Sequence, residues 1–457
     1  MFFWSDAANV PRGGPVTRGI SRRRHPRRFP VWARWTLPVF AASALVLGGM
    51  GCEETGKPGS SESAEVGSSD AVGDAALRLH HEALVIDTHA DTTPRFEDPS
   101  WRFDQRHSEG EGHVDLPRMR EGGLDVQFWS IYLGKPAADG LAIREALQRI
   151  DAVHQLVARH PEDLALAGTV EEIRRHAGQG RVVSLMGIEG GHIIEEDLAA
   201  LRNFYRLGAR YMTLTHSFHT GWADSSGTRT DLEPLHHGLT PFGEEVVREM
   251  NRLGMMVDVS HVSDETFWDV LEITRAPVIA SHSSVRGVAD HRRNLDDAML
   301  RGLARNGGVI MINFYPAYID EAAAEQTTAY FERWQEPMAA IRERTADDPR
   351  ARRIAYRTHF QAHPVPQASL EVLLDHFDHA LRVAGPDHVG IGADWDGVAS
   401  MPSGMQDVSE LPSLTRGLLA RGHAPETVRK VLGENLLRVM TRVEEVAEKL
   451  AGASKAD

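Results

Sequence analysis

The chain has 457 residues, 42% hydrophobic and 25% charged, the composition of an ordinary globular protein with room for one large barrel or two or three smaller domains. Its net charge of −15 argues against a nucleic-acid partner, because phosphate binding needs a basic surface. The single cysteine, Cys52, excludes an intrachain disulfide and any zinc site built from two or more cysteines.

Residues 1–35 are basic and rich in Arg, Gly and Pro, and an apolar run follows from Thr36 to Met50. That run is short and glycine-containing for a membrane span and fits the core of a secretion signal. Gly51-Cys52 comes directly after it, an order that resembles a bacterial lipoprotein signal: residues 1–51 are removed and Cys52 is lipidated. Gly49 stands where such signals usually carry Leu, so an ordinary cleaved signal remains the alternative, with a twin-arginine signal at Arg27-Arg28-Phe29 as a third reading. Residues 52–74 are rich in Ser, Gly and Glu and carry too few large apolar side chains to offset their chain entropy. They are expected to form a disordered tether to a domain over residues 75–457, held at the bacterial cell envelope, facing the periplasm or the exterior.

From about Ala75, short apolar runs alternate with amphipathic stretches, the pattern of a parallel α/β sheet. The predicted strands are Leu84–Thr88, Val126–Leu133, Val182–Ile188, Tyr211–Thr215, Met255–Ser260, Val278–Ser281, Gly308–Phe314 and Val389–Ala393. Each is rich in β-branched or aromatic residues and lacks a central proline. Before the fifth, residues 238–254 carry a proline-containing start, a helical apolar stripe and a glycine stop. Eight strands with intervening helices predict a (β/α)8 TIM-like barrel. An open doubly wound sheet is the alternative, but no glycine-rich phosphate fingerprint follows the first strand. Ala317–Gln367 reads as an insertion after strand seven near the barrel mouth, and Pro425–Lys449 as one or two closing helices.

The polar residues fall where the strands end. Strand one ends in His89-Ala90-Asp91, strand three in Glu189, strand four in His216, strand five in His261, strand six in His282 and strand eight in Asp394-Trp395-Asp396. In a barrel these C-terminal ends converge on one face. Alternate residues of a strand share a side, so His89 and Asp91 project together. Glu189 ends a buried strand, where a carboxylate is costly unless paired or metal-bound, and Gly190 and Gly191 leave room beside it. Taken singly, His261 and His282 each fit a hydrogen-bonded core histidine better than a ligand; on adjacent strands the balance reverses. The nitrogen and oxygen donors suit Zn2+ and admit Mn2+, Fe2+ or Co2+. Five ligands exceed one tetrahedral zinc and suit two metals sharing a carboxylate, for which Glu189 is the best bridge. Metals so placed lower the pKa of a shared water and make it a nucleophile at neutral pH. His192, His219, His236 and His237 read as loop residues, and Asp87 and Asp396 as capping or orienting groups.

The stretches VIDTHAD (85–91), QFWSIY (127–132), GIEGGH (187–192), YMTLTHS (211–217), GLTPFG (238–243), VDVSHVS (257–263), APVIASHSS (276–284), RRN (292–294), GIGADWDGV (390–398) and GENLLRV (433–439) occur in this order. Over residues 80–440 they resemble the membrane (renal) dipeptidase family, the M19 metallopeptidases. That resemblance implies a barrel with two zinc ions, one held by His89 and Asp91, the other by His261 and His282, with Glu189 bridging. It makes His216 the histidine that polarises the scissile carbonyl, Arg293 the partner of the substrate's free carboxylate, and Asp394 the acid/base carboxylate. Without it, His216 reads equally well as a core histidine and Arg292-Arg293 as a solvated pair. Family members are often dimers, so a homodimer is expected, with small dipeptides as substrates and a lipidated Cys52 as membrane anchor. Two other functions stay open: β-lactam or lactone hydrolysis on the same metals, and a non-catalytic ligand-binding lipoprotein.

Overall fold

The computed structural model describes residues 73–453 apart from 109, 135–139 and 229–231; the leader, Cys52 and the tether fall outside the described residues. Among the described residues, nine parallel strands form one sheet: β1 (Ile86–Ala90), β2 (Val126–Tyr132), β3 (Leu164–Leu166), β4 (Val182–Glu189), β5 (Ala209–Thr213), β6 (Met256–Asp258), β7 (Ile279–Ser283), β8 (Val309–Ile312) and β9 (Val389–Ile391). The order β2-β1-β9-β8-β7-β6-β5-β4 is closed by β2 pairing with β4, from Val126↔Val183 to Tyr132↔Glu189, which makes an eight-stranded barrel. The predicted strands are these eight. The extra strand, β3, pairs three residues with Val182–Ser184 on the edge of β4 that β5 occupies from Met186 onward.

Alternation along the strands divides the apolar residues into two buried clusters. Ile86, Val126, Phe128, Val183, Leu185, Tyr211, Met256, Ile279, Val309 and Met311 belong to one, together with Leu436, Leu437, Val439, Met440 and Val443 of the last helix, Asn435–Ala453. Trp129, Ile131, Met186, Ile188 and Met212 belong to the other, beneath the surrounding helices. The first cluster fills the barrel interior, and the last helix closes its N-terminal end, with Asn435 donating from Nδ2 to the Val389 and Pro386 carbonyls. The predicted tail thus resolves into Pro425–Arg429, a π-helical turn at Lys430–Glu434, and this helix.

The predicted insertion forms the helices Glu321–Arg344 and Pro349–Ala362. Arg353 and Arg357 of the second pair with Asp98 and Glu111 of the long segment that follows β1, which sets the insertion beside the C-terminal face of the barrel. No helix among the described residues is long and apolar enough to cross a membrane.

Candidate metal centre

Glu189, the last residue of β4, is 3% exposed and points both carboxylate oxygens into a ring of imidazoles. Its Oε2 lies 3.4 Å from His89 Nε2. Its Oε1 lies 3.3 Å from His261 Nε2, 3.4 Å from His282 Nε2 and 3.6 Å from His216 Nε2. Asp91 Oδ2 approaches His89 Nε2 to 3.5 Å. Three overlapping groups could each hold a cation: His89, Glu189 and His282; Glu189, His216 and His261; and His89, Asp91 and Asp394. The five expected ligands therefore meet, joined by His216 and Asp394.

The donors fit metal ions on the chemistry of their contacts. His89 Nε2 and Asp91 Oδ1 are buried and have no hydrogen-bond partner, although each is a strong ligand atom. The far side of His89 is occupied: Tyr211 donates its hydroxyl to the Thr88 carbonyl at 3.0 Å, so its oxygen must accept from His89 Nδ1–H, also at 3.0 Å. That leaves Nε2 of His89 turned toward Glu189 and Asp91, where a metal ion would take the place of a proton, the arrangement a metal-ligating histidine needs. Tyr211 reaches this place because Gly187 has no side chain; a Cβ there would stand 1.9 Å from the tyrosine ring.

The charges in the cluster oppose one another. Burial would raise the Glu189 carboxyl, but His89, His261 and His282 outweigh it and hold it well below the ordinary value. Burial disfavours the His89 cation, yet Tyr211 and Glu189 reverse the balance and hold its pKa well above that of a free imidazole. His261 and His282 are pushed well down, by burial first and then by neighbouring cationic groups. Burial, reinforced by Asp91 and Glu189, pushes Asp394 up to about 7.

Arg293 is 2% exposed, with one NH2 group donating to the His282 carbonyl at 3.0 Å and its guanidinium 5.5 Å from the Tyr318 ring centre. His261 and Asp394 both occupy left-handed backbone, with φ of 67° and 66°, a conformation that side-chain-bearing residues adopt at functional sites under local strain. Gly397 lies against the carboxylates: a Cβ there would stand 2.2 Å from both Asp91 Oδ2 and Asp394 Oδ1.

Of the residues read as loop or orienting groups, His219, His236 and His237 lie in loops and Asp87 and Asp396 orient their neighbours, whereas His192 lies in the 3-10 turn Gly191–Ile194. His219 accepts from Ser225 N, His236 Nε2 contacts the Thr220 carbonyl, and His237 sits in left-handed backbone. His192 packs its ring on Phe218 at 4.9 Å. Asp396 accepts from Thr92, Arg95 and the His113 amide, and Asp87 from the Ala393 amide and Gln127. Two further strands, which carry no His, Asp or Glu at their ends, each bring a polar residue to the cluster. Ser130 of β2 donates to Glu189 Oε2 at 2.9 Å, and Asn313, just past β8, donates to Asp394 Oδ2 at 3.0 Å. The available signal was a polar residue inside an otherwise apolar strand.

The sequence model of the family described as membrane dipeptidase (peptidase family M19) matches residues 74–454. Among solved structures, the probable dipeptidase PvdM from Pseudomonas aeruginosa is 25% identical with a TM-score of 0.71, over 83% of this chain and 100% of that one. A metallo peptidase from Rhodobacter sphaeroides, liganded with a phosphinate mimic of the dipeptide L-Ala-D-Ala, is 27% identical with a TM-score of 0.64, over 79% of this chain and 99% of that one. A dipeptidase described as a metallo peptidase of family M19 is 28% identical with a TM-score of 0.64, over 79% of this chain and 98% of that one.

Proposed function

Because the chain belongs to the membrane dipeptidase family, peptidase family M19, we propose that it hydrolyses dipeptides bearing a free C-terminal carboxylate at a centre of two zinc ions. The observation that carries this reading is the meeting of four imidazole nitrogens, from separate strand ends, within 3.6 Å of the Glu189 carboxylate. His89 and Asp91 would hold one ion, His261 and His282 the other, and Glu189 both. Ions bound there would lower the pKa of water and polarise the scissile carbonyl.

The chain's own groups supply the rest. His216, at the rim of the cluster, offers an N–H to the carbonyl oxygen as charge develops on it. Asp394, grouped with His89 and Asp91 and oriented by the Asn313 amide, takes the proton of the attacking water and delivers it to the leaving amine. Arg293 forks onto the substrate's terminal carboxylate and so measures substrate length from the cluster. A longer peptide has no carboxylate at that distance.

The test is a kinetic panel of dipeptides of both chiralities at the second position, with tripeptides, dipeptide amides, β-lactams and lactones, with and without chelator. Chelator-sensitive cleavage confined to dipeptides is expected. A metal-loaded sample that cleaves no dipeptide defeats the reading. Turnover of β-lactams or lactones in their place would assign another amidohydrolase chemistry, and a chain that cannot be loaded with metal would point to a ligand-binding role. The leader supports a lipid anchor at Cys52, which Cys52→Ala tests: the variant should leave the membrane fraction.

A further inference from the structure

Inside the barrel, one layer below the cluster, lies a buried carboxylate with no part in the chemistry above. Asp258, at the end of β6, is 0% exposed and accepts four hydrogen bonds. Its Oδ1 takes the backbone N–H groups of Ser260 at 3.0 Å and Ser281 at 2.8 Å. Its Oδ2 takes the hydroxyls of Ser281 at 2.6 Å and Thr213 at 2.5 Å. Ser281 Oγ also lies 2.8 Å from His282 Nδ1. A hydroxyl has one proton to donate. Since an ionised carboxylate can only accept, Ser281 gives its proton to Asp258 and must accept from His282 Nδ1–H.

We infer that Asp258 is a positioning residue that, through the Ser281 hydroxyl, locks His282 in the tautomer whose Nε2 lone pair faces Glu189, and thereby sets how tightly the centre holds metal. This rests on reading the cluster as a metal centre. The geometry also says what asparagine would do. The two backbone N–H groups cannot turn round, so the amide oxygen of Asp258→Asn must face them and its NH2 must face the two hydroxyls. Ser281 then accepts from that NH2 and turns its own proton onto His282 Nδ1. The imidazole proton moves to Nε2, where a metal would bind, and the ligand is lost. The change is one atom in a fully buried hub, yet it inverts the polarity of the whole relay.

The experiment uses the full chain with 15N-labelled histidine. Nitrogen NMR of the chelated protein reads the His282 tautomer, and competition with a chromophoric chelator reads zinc affinity. The wild type should show Nδ1–H, and Asp258→Asn should show Nε2–H with zinc affinity about 10- to 100-fold weaker, the usual cost of losing a group that orients a ligand. Ser281→Ala keeps the other three hydrogen bonds to Asp258 and removes only the relay; about tenfold weaker zinc binding is expected. It carries the test should Asp258→Asn fail to fold. Thr213→Val deletes the other hydroxyl on the same oxygen and should leave the tautomer and zinc affinity within about twofold of wild type, because the relay is intact. The inference is overturned by wild-type tautomer and affinity in Ser281→Ala, or by Thr213→Val weakening zinc as much as Ser281→Ala does. A wild type that binds no zinc would overturn the metal reading instead, while the tautomer measurement would still decide the relay.

Discussion

Replacing Gly397 by alanine puts a methyl group between two carboxylates of the cluster. Gly397 is not among the residues with positive φ, so the backbone accepts a side chain, and the effect is confined to space. The Cβ would stand 2.2 Å from Asp91 Oδ2 and from Asp394 Oδ1, where ordinary contact begins near 3.4 Å, so each carboxylate must withdraw by about 1.2 Å or the turn must move. Asp394 is tethered by Asn313 at 3.0 Å and by its left-handed backbone. Asp91 Oδ1 has no hydrogen-bond partner, so Asp91 should yield and swing away from His89. A misplacement of about 1 Å at a reacting centre costs on the order of 100-fold, or about 2.7 kcal/mol in the barrier.

The assay is kcat/KM on a good dipeptide, metal per chain, and the unfolding temperature of the chelated protein. Gly397→Ala should lose about 100-fold in kcat/KM and bind less metal, while overpacking costs the fold only about 1–3 kcal/mol. If the clash acts through Asp91, the double variant with Asp91→Asn should be little worse than Asp91→Asn alone, because the second change removes a ligand already displaced. A variant within about threefold of wild type with full metal occupancy would refute the argument.

Three further outcomes follow from the same geometry. Arg293→Ala should raise KM for dipeptides by about 100-fold with a smaller change in kcat, and a dipeptide amide, lacking the carboxylate, should be an equally poor substrate for variant and wild type; unequal loss on the amide would contradict the assignment. Chelation should lower the unfolding temperature, since a ligand at 100 times its Kd contributes about 2.7 kcal/mol, and calorimetry at graded free zinc should show a concentration-dependent midpoint. His376 is buried, accepts from the Val285 amide through Nδ1, and has its pKa lowered by burial from 6.5 to about 4. Between those values the unfolded chain binds a proton that the folded one refuses, so this contribution is present above pH 6.5 and is lost as pH falls toward 4, at about 1.4 kcal/mol per pH unit. Denaturant titrations of chelated wild type and His376→Asn should therefore converge as pH falls through that window; a pH-independent gap would show that His376 stays protonated in the fold.

The barrel was legible because its strands are short, apolar and separated by helical stretches, and β3 was not, because three residues in Asp163-Leu164-Ala165-Leu166 cannot display a period. The ligands were legible because a titratable residue at the end of an apolar strand stands out against its neighbours. What stayed hidden is the set of groups that orient them. Tyr211 and Ser281 look like ordinary strand residues, since tyrosine is a good β-former and a lone serine carries no pattern. Gly187 looks like a weak point in a strand until Tyr211 is found occupying the space where its side chain would be.

These hidden residues follow from the layering of the barrel interior. Toward its closed end the inward positions include Met256, Ile279 and Val309, all apolar. Further along β5, β6 and β7 stand the buried Thr213, Asp258 and Ser281, and at or past the ends of these strands His216, His261 and His282. An apolar second layer would pack as well, but it could not choose between the two protonation sites of a neutral imidazole. Two of the ligand histidines have an acceptor behind them on the side of the barrel core, Ser281 Oγ for His282 and the Tyr211 hydroxyl for His89. A buried carboxylate is costly on its own, and here four donors offset that cost. These polar residues thus serve to orient imidazole ligands at strand ends, and the sheet order supplies them by placing β5, β6 and β7 side by side.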